Sequence, residues 1–348
     1  MEPFVTLDEI RAARERIKTA ARFTPLIEVV WPGKPSSPPA SAQASTSAKA
    51  TADKTAVKSA RQAQSLFLKC ENFQPMGAFK IRGGFNMIAQ LPKDALQRGV
   101  ITYSSGNHGQ AVALAAKMLG APAVIVMPTT APAVKVEGCK SYGAEVIMEG
   151  TTSLHRQSRA EKEAAERGLT IVPPFDHRMI IAGQGTTGLE ILEQCPDVAT
   201  VFVPVGGGGL ASGVGAAIKL SKPSVRVIAV EPEGAPKMSK SLAAGHPVTL
   251  DSSASIADGL MNLRPGNLTF AHIQKFVDEV VTVSEKDIAD TVGWLFRNAR
   301  LVVEPSGAVT TAAVALSLGG ADPSKGPIVA IVTGGNVAPE AFARYISD

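Results

Sequence analysis

Long apolar runs are absent from these 348 residues. None approaches the roughly 18 residues of a membrane-spanning helix, and the opening MEPFVTLDEIRAARERIK lacks the apolar centre of a signal peptide. The expected location is the cytoplasm, with no membrane partner. Cysteine is scarce. Cys70, Cys139 and Cys195 are odd in number and widely spaced, which suits neither a disulfide framework nor a zinc site, so all three read as reduced, packed thiols. Five histidines form no H-E-x-x-H or comparable metal-binding cluster. A surplus of one charge is missing as well: the net charge is +4 with both signs interspersed, which gives no basic face for nucleic acid. Small anionic ligands remain open.

What the chain does have is the composition of an α/β protein: 45% apolar residues, 19% charged residues and 32 glycines. Domains usually run to roughly 100–200 residues, so the length accommodates two core-bearing units, or one large unit with a smaller lobe inserted. One segment stands apart. Residues 32–64 are almost entirely Pro, Ser, Ala, Thr, Lys and Gln, and bury too little apolar surface to offset the entropy of ordering, so a flexible insert is expected there. A helix in its Ala- and Lys-rich half is the alternative, but no apolar stripe would dock it. Around the insert, helix and strand alternate. Thr6 and Glu9 form a capping box ahead of an amphipathic helix, and apolar runs recur at 66–68, 100–103, 123–127, 145–148, 201–205, 225–230 and 328–332. Ala-rich stretches of helical period, such as 110–119 and 209–220, lie between several of them. Short continuous apolar strands separated by helices predict parallel sheets covered on both faces. Ligands of such sheets bind beyond the carboxyl ends of the strands. Three strand ends qualify: Ser104-Ser105-Gly106-Asn107-His108-Gly109, Gly206-Gly207-Gly208-Gly209-Leu210 and Thr333-Gly334-Gly335-Asn336.

Lys80, in KCENFQPMGAFKIRGG, is set among turn residues beside Phe79. A lysine amine attacks an aldehyde only when neutral, and partial burial against Phe79 near a second cation, Arg82, is expected to lower its pKa. An ordinary solvated lysine at a helix start is the competing reading. Four successive glycines, Gly206 to Gly209, let the backbone approach an anion closely, with several N–H groups and a helix N-terminus facing it. A phosphate is the natural guest, although a tight structural turn uses the same residues. Ser104, Ser105, Asn107 and His108 offer hydroxyls, an amide and an imidazole suited to a carboxylate; alternatively Asn107 only caps a helix and His108 is a satisfied buried side chain. Glu304-Pro305-Ser306-Gly307 precedes an Ala- and Val-rich helix, and Thr333 ends the last strong strand. Together these features describe pyridoxal phosphate, with an aldehyde for Lys80, a phosphate for the glycines and a ring nitrogen for the Thr333 hydroxyl.

The pattern from Lys69 to Gly83, the run Ser104 to Gln110, Ile181-Ala182-Gly183-Gln184-Gly185-Thr186, Gly206 to Leu210, Val230-Glu231-Pro232, Ile256-Ala257-Asp258-Gly259 and Thr333-Gly334-Gly335-Asn336 resembles the fold type II pyridoxal-phosphate enzymes of the threonine/serine dehydratase and serine racemase branch. The resemblance covers residues 3–31 and 66–345. It implies an α/β fold of two lobes, each a mostly parallel sheet flanked by helices, with the cofactor between them. Residues 1–31, 65–95 and 178–348 would form the large cofactor-binding domain and 96–177 a small mobile domain. By this resemblance Lys80 forms the Schiff base, Phe79 lies beside the cofactor, and Asn107 bonds the ring hydroxyl. Gly206, Gly207, Gly208, Gly209 and Leu210 bind the phosphate, Glu304 belongs to the cofactor site, and Thr333 faces the ring nitrogen. Ser104, Ser105, Asn107 and His108 would hold the substrate carboxylate. Ser105 stands where racemases keep an acid/base serine on the face opposite the lysine, whereas many dehydratases have alanine there.

One position departs from the pattern. Related racemases hold a divalent cation near a Glu-Pro segment, with a carboxylate about six residues after the glutamate, but after Glu231 this chain has Ala235, Pro236 and Lys237. An ammonium from Lys237 would replace the cation, so no metal is expected; a surface lysine without that role is the alternative. The chain ends soon after the catalytic fold would close, so no regulatory domain and no feedback inhibition by isoleucine are expected.

The implied activity is release of ammonia and a 2-oxo acid from L-threonine or L-serine by a homodimer, with an amino acid as small-molecule partner. Serine racemase and 3-hydroxyaspartate dehydratase are the nearest alternatives, and β-replacement enzymes such as cysteine synthase share the fold. A non-catalytic small-molecule-binding protein is the alternative of another class. Residues 151–156 and Asp176-His177 are expected to touch the substrate side chain.

Overall fold

The computed structural model describes residues 4–30, 65–104, 106–320 and 322–347; the insert expected at 32–64 and Ser105 lie outside the described residues. The first helix, Leu7–Ile17, starts with the expected reciprocal box. Thr6 Oγ1 accepts the Glu9 N–H while the Glu9 carboxylate accepts the Thr6 N–H at 2.8 Å. Ile10, Ala13 and Ile17 fall on one face and are buried.

Among the described residues ten strands follow in chain order: β1 (Leu26–Val30), β2 (Ser65–Cys70), β3 (Val100–Tyr103), β4 (Ala123–Met127), β5 (Glu145–Met148), β6 (Thr170–Ile171), β7 (Thr200–Pro204), β8 (Arg226–Pro232), β9 (Glu279–Val283) and β10 (Ile328–Val332). They build two sheets. The larger has the order β1-β2-β10-β7-β8-β9 and is parallel apart from β1, which runs antiparallel to β2. The smaller, β5-β4-β3-β6, is wholly parallel. Strand β10 is central to the large sheet, with Ile328 opposite Leu66 on one side and Thr200 on the other. Its alternate residues enter two different cores: Ile328, Ala330 and Val332 on one face, Val329 and Ile331 on the other. A strand buried on both faces has to be apolar at every position, which is why β10 reads as a continuous run.

Three strands without such a run, β1, β6 and β9, escape the sequence reading. Each is an edge strand or is very short, and β1 and β9 carry glutamate and half-exposed positions where only one neighbour covers them.

Behind the site, two helices meet at very short range. A Cβ on Gly183, in the helix Arg178–Gln194, would lie 2.6 Å from the carbonyl oxygen of Arg82 in the helix Ile81–Ile88, so only glycine permits this contact. A buried ion network pins the same junction. The Arg82 Nε donates to Glu71 Oε2 at 2.7 Å, its Nη1 to Glu190 Oε1 at 2.6 Å, and Lys69 Nζ to Glu190 Oε2 at 2.6 Å. Two carboxylates face two cations with their hydrogen-bonding groups satisfied, the condition under which buried charges are tolerated. The helix Ile81–Ile88, which begins immediately after Lys80, packs its Ile81, Phe85 and Ile88 into the core beneath the small sheet.

Candidate active site

The carboxyl ends of β3, β7 and β10 border one cavity of about 530 Å³, which Lys80, Asn107, the glycine loop and Thr333 all line. Lys80 reaches it from the segment after β2, and that segment is strapped to the end of β10. The Phe79 N–H donates to Thr333 O at 3.1 Å, the Gly335 N–H donates to Gly77 O at 2.9 Å, and Ala78 bridges Gly334.

Lys80 is half-buried, its Nζ donates to Pro174 O at 2.8 Å, and the same atom lies 5.2 Å from the centroid of the Phe79 ring. Burial pushes its amine down to about 8. The expected contribution of Arg82 is corrected here: its guanidinium is committed to Glu71 and Glu190, and desolvation accounts for the shift. A positive charge neutralised by two carboxylates exerts little net field.

The glycine loop is a close-fitting cradle. A Cβ on Gly207 would lie 2.3 Å from the Phe175 ring, and Gly208 has a φ of +102°, a left-handed conformation that favours glycine. Thr269 Oγ1 donates to Gly207 O at 2.7 Å and fixes the loop from outside. Gly209 and Leu210 then open the helix Gly209–Ser221, whose first-turn N–H groups lack intrahelical acceptors. This combination suits a phosphate.

On the facing side, Asn107 begins the helix Asn107–Leu119. Its Nδ2 donates to Glu304 Oε1 at 2.6 Å, and its Oδ1 accepts from Asn336 Nδ2 at 2.9 Å, so the amide is held in one orientation. Ser104 Oγ accepts the Gly106 N–H at 3.1 Å. His108 is buried and its Nε2 donates to Val172 O at 3.0 Å. Burial, and then the charge of Lys80, push its imidazole down to about 3, so it is neutral and Nδ1 carries an unprotonated lone pair without a protein partner. Whatever His108 gives a carboxylate, it is not positive charge. Ser105, the fourth member of the expected carboxylate set, lies outside the described residues.

Glu304 precedes the helix Pro305–Ala315, and burial followed by the charge of Asp258 pushes its carboxyl up to about 7, against the pull of Lys135 and Asn107. Its Oε2 is buried without a protein partner. Thr333 Oγ1 donates to Ser306 O at 3.3 Å, a long bond that leaves the hydroxyl available to another acceptor.

Sequence reasoning missed Lys135 altogether and gave Asp258 no role. Lys135, from the helix Ala133–Ser141, forms an ion pair with Asp258 across 123 residues of sequence, at the cavity wall. Burial depresses the Lys135 amine, but Asp258 and Glu304 carry it above its ordinary value. The IADG motif was the only signal available.

The substrate-side expectation needs division. Asp176 lines the cavity, yet its carboxylate accepts the N–H groups of Asn267, Leu268 and Thr269 and so caps the helix Asn267–Phe276. His177 likewise caps Arg178–Gln194 through the Met179 N–H. Both therefore hold helix starts, and of the two only Asp176 lines the cavity. In 151–156, Thr152 is also a cap, whereas Arg156 is buried at the cavity wall. Its Nη1 donates to Thr151 O at 3.3 Å, its Nε has no protein partner, and no carboxylate pairs with it among the described residues.

A nucleophilic amine, an anion cradle, a fixed amide and a hydroxyl thus surround one cavity, and the unpartnered Glu304 Oε2 and the glycine cradle both fit a cofactor bearing an aldehyde and a phosphate. Comparisons with known proteins agree. The family described as pyridoxal-phosphate dependent enzymes matches residues 53–334. An L-threonine ammonia-lyase of Thermotoga maritima is 46% identical over 283 residues, covering 81% of this chain and 70% of that protein. An L-threo-3-hydroxyaspartate ammonia-lyase of Saccharomyces cerevisiae is 39% identical over 292 residues, covering 82% of this chain and 87% of the relative. Among solved structures, maize serine racemase superposes with a TM-score of 0.85 at 37% identity, covering 99% of this chain and 98% of the other.

Proposed function

Because this chain belongs to the pyridoxal-phosphate dependent enzymes, we propose that it converts L-threonine or L-serine to a 2-oxo acid and ammonia. The observation that carries the reading is Lys80, an amine held near 8 by burial in the cavity that the glycine loop closes. When bound, pyridoxal phosphate supplies an aldehyde for amines and a ring that withdraws electrons from the substrate α-carbon. The residues of this chain do the rest. The backbone N–H groups of Gly206 to Leu210 would hold the phosphate, and the fixed amide of Asn107, the nearby Glu304 and the Phe79 side chain would hold the ring. Ser104 and the N–H groups at the start of Asn107–Leu119 receive the substrate carboxylate, with neutral His108 shaping that end. The Lys80 Nζ, once neutral, would remove the α-proton, and the β-hydroxyl would leave as water on taking up a proton, so that one proton and one hydroxide are lost from the substrate. The neutral hydroxyl of Thr333, at the cavity wall, would face the ring nitrogen without supplying it a carboxylate's negative charge.

A second reading has its own observation. Arg156 is a buried guanidinium without a carboxylate at the cavity wall, and a substrate carrying a second carboxylate, such as 3-hydroxyaspartate, would pair with it. A third, serine racemisation, would need a second group to return a proton to the α-carbon, for which the sequence offers Ser105. A homodimer in the cytoplasm completes the proposal; three buried, unpaired thiols are consistent with a reducing compartment.

The test is a product assay on L- and D-serine, L-threonine and 3-hydroxyaspartate that records ammonia, oxo acid and chirality together. Ammonia and 2-oxobutanoate from L-threonine, at a rate at least equal to that from 3-hydroxyaspartate, are expected. Turnover confined to 3-hydroxyaspartate would install the Arg156 reading, and D-serine without ammonia would install racemisation.

A further inference from the structure

Lys237 opens the helix Lys237–Ala244 and is among the largest fully buried side chains of the molecule, so it is not a surface lysine. Its Nζ donates to three backbone carbonyls: Val205 at 3.0 Å, Ala235 at 3.1 Å and Leu260 at 2.9 Å. An ammonium has three N–H groups, and all three are used. The acceptors come from separate segments. Val205 immediately precedes the glycine loop; Ala235 lies in the turn after β8; Leu260 belongs to the loop against Gly206, where an added Cβ would lie 3.0 Å from Gly259 O and 2.8 Å from Asn262 Oδ1.

Glu231 is also fully buried, but its carboxylate turns to backbone groups and accepts the Met238 N–H at 3.0 Å and the Ser239 N–H at 3.4 Å. It acts on Lys237 through space. Burial pushes the Glu231 carboxyl up to about 7 and the Lys237 amine down to about 8, and each group's charge opposes the other's shift. Three converging carbonyls with a carboxylate nearby are the donor set of a hard metal ion. Here that cage holds a side-chain ammonium instead.

We propose that Lys237 is a built-in cation that positions the phosphate-binding glycine loop, so that cofactor affinity does not depend on any dissociable metal or alkali ion. The inference rests on assigning the cofactor phosphate to Gly206–Gly209. It makes Lys237 a positioning residue, since it touches the backbone under the loop and not the reacting atoms. Without the ammonium, the buried carbonyls of Val205 and Leu260 lose this donor while Ala235 O keeps the Lys237 N–H at 3.0 Å, and the base of the loop loses its tie to Leu260.

The test is titration of apo-protein with pyridoxal phosphate, followed by absorbance, in choline, potassium or magnesium chloride at matched ionic strength and with or without a chelator. Wild type should bind equally within twofold in every medium. Lys237→Ala should bind at least tenfold more weakly in choline chloride and recover in the potassium or magnesium salt. A double variant, Glu231→Gln with Lys237→Met, removes both buried charges and guards against simple misfolding. It should also bind at least tenfold more weakly, because the Val205 and Leu260 carbonyls remain without the ammonium donor.

Four results would overturn the proposal: wild-type affinity that changes tenfold with the cation, full affinity in Lys237→Ala, a weakened Lys237→Ala that no cation restores, or full affinity in the double variant. The last would reduce Lys237 to a neutraliser of Glu231. None of these readouts involves turnover, so this proposal and the substrate assignment fail separately.

Discussion

At pH 7 an amine that titrates near 8 is neutral in roughly one molecule in ten, against fewer than one in a thousand for an unperturbed lysine. For Lys80 that difference separates a nucleophile from an ordinary surface cation, and burial alone produces it. The sign is definite: the folded-state pKa is depressed, so the reactive form accumulates as pH rises. The rate of cofactor uptake by apo-protein should therefore climb between pH 6 and 9, with its midpoint near 8, in a stopped-flow absorbance series. A flat profile would mean that Lys80 is neutral throughout, or not the attacking group. The residue type and its neighbour Phe79 were legible in the sequence. Arg82 was legible only as a nearby charge, because its partner Glu190 lies 108 positions away and nothing local announces it. For His108 the reading as a satisfied buried side chain holds only for Nε2, which donates to Val172 O, since its buried Nδ1 has no protein partner and the residue lines the cavity.

Among secondary-structure elements, the helix Ile81–Ile88 matters most to the site, because it fixes where Lys80 points. It is held by the Glu71–Arg82–Glu190–Lys69 network and by the close contact at Gly183. Replacing Arg82 with Met would leave two buried carboxylates short of a cation, a change that typically costs about 3–5 kcal/mol. Arg82→Met should lower the urea midpoint accordingly. An unchanged midpoint would contradict the network's structural role. The runs at 100–103, 123–127 and 328–332 match β3, β4 and β10 residue for residue, since strands buried on both faces announce themselves through continuous apolar sequence. Edge strands β1 and β9 were illegible for the converse reason. The three glycine- and serine-rich strand ends were legible as a set because each follows such a run directly, whereas the Lys135–Asp258 pair was not, being made only when the chain folds.

Over the whole molecule, the parallel sheets deliver the ends of β3, β7 and β10 to one cavity, so that groups 197 positions apart, Asn107 and Glu304, come within a hydrogen bond of each other. Family membership follows from this arrangement and from the sequence comparisons together. Substrate choice is the part that the chirality-resolved product assay addresses, with the buried Arg156 at the cavity wall as the proposed partner of a second substrate carboxylate. By the proposed function the cofactor joins the chain at Lys80, in the cavity bordered by the glycine loop. Borohydride reduction of the yellow holoenzyme would make the linkage permanent, and peptide mapping by mass spectrometry would then locate it. The account predicts one phosphopyridoxyl group per chain, on Lys80, with no label and no ammonia release from L-threonine in Lys80→Ala. A label on Lys135 or Lys237, or a Lys80→Ala protein that stays yellow and active, would contradict it.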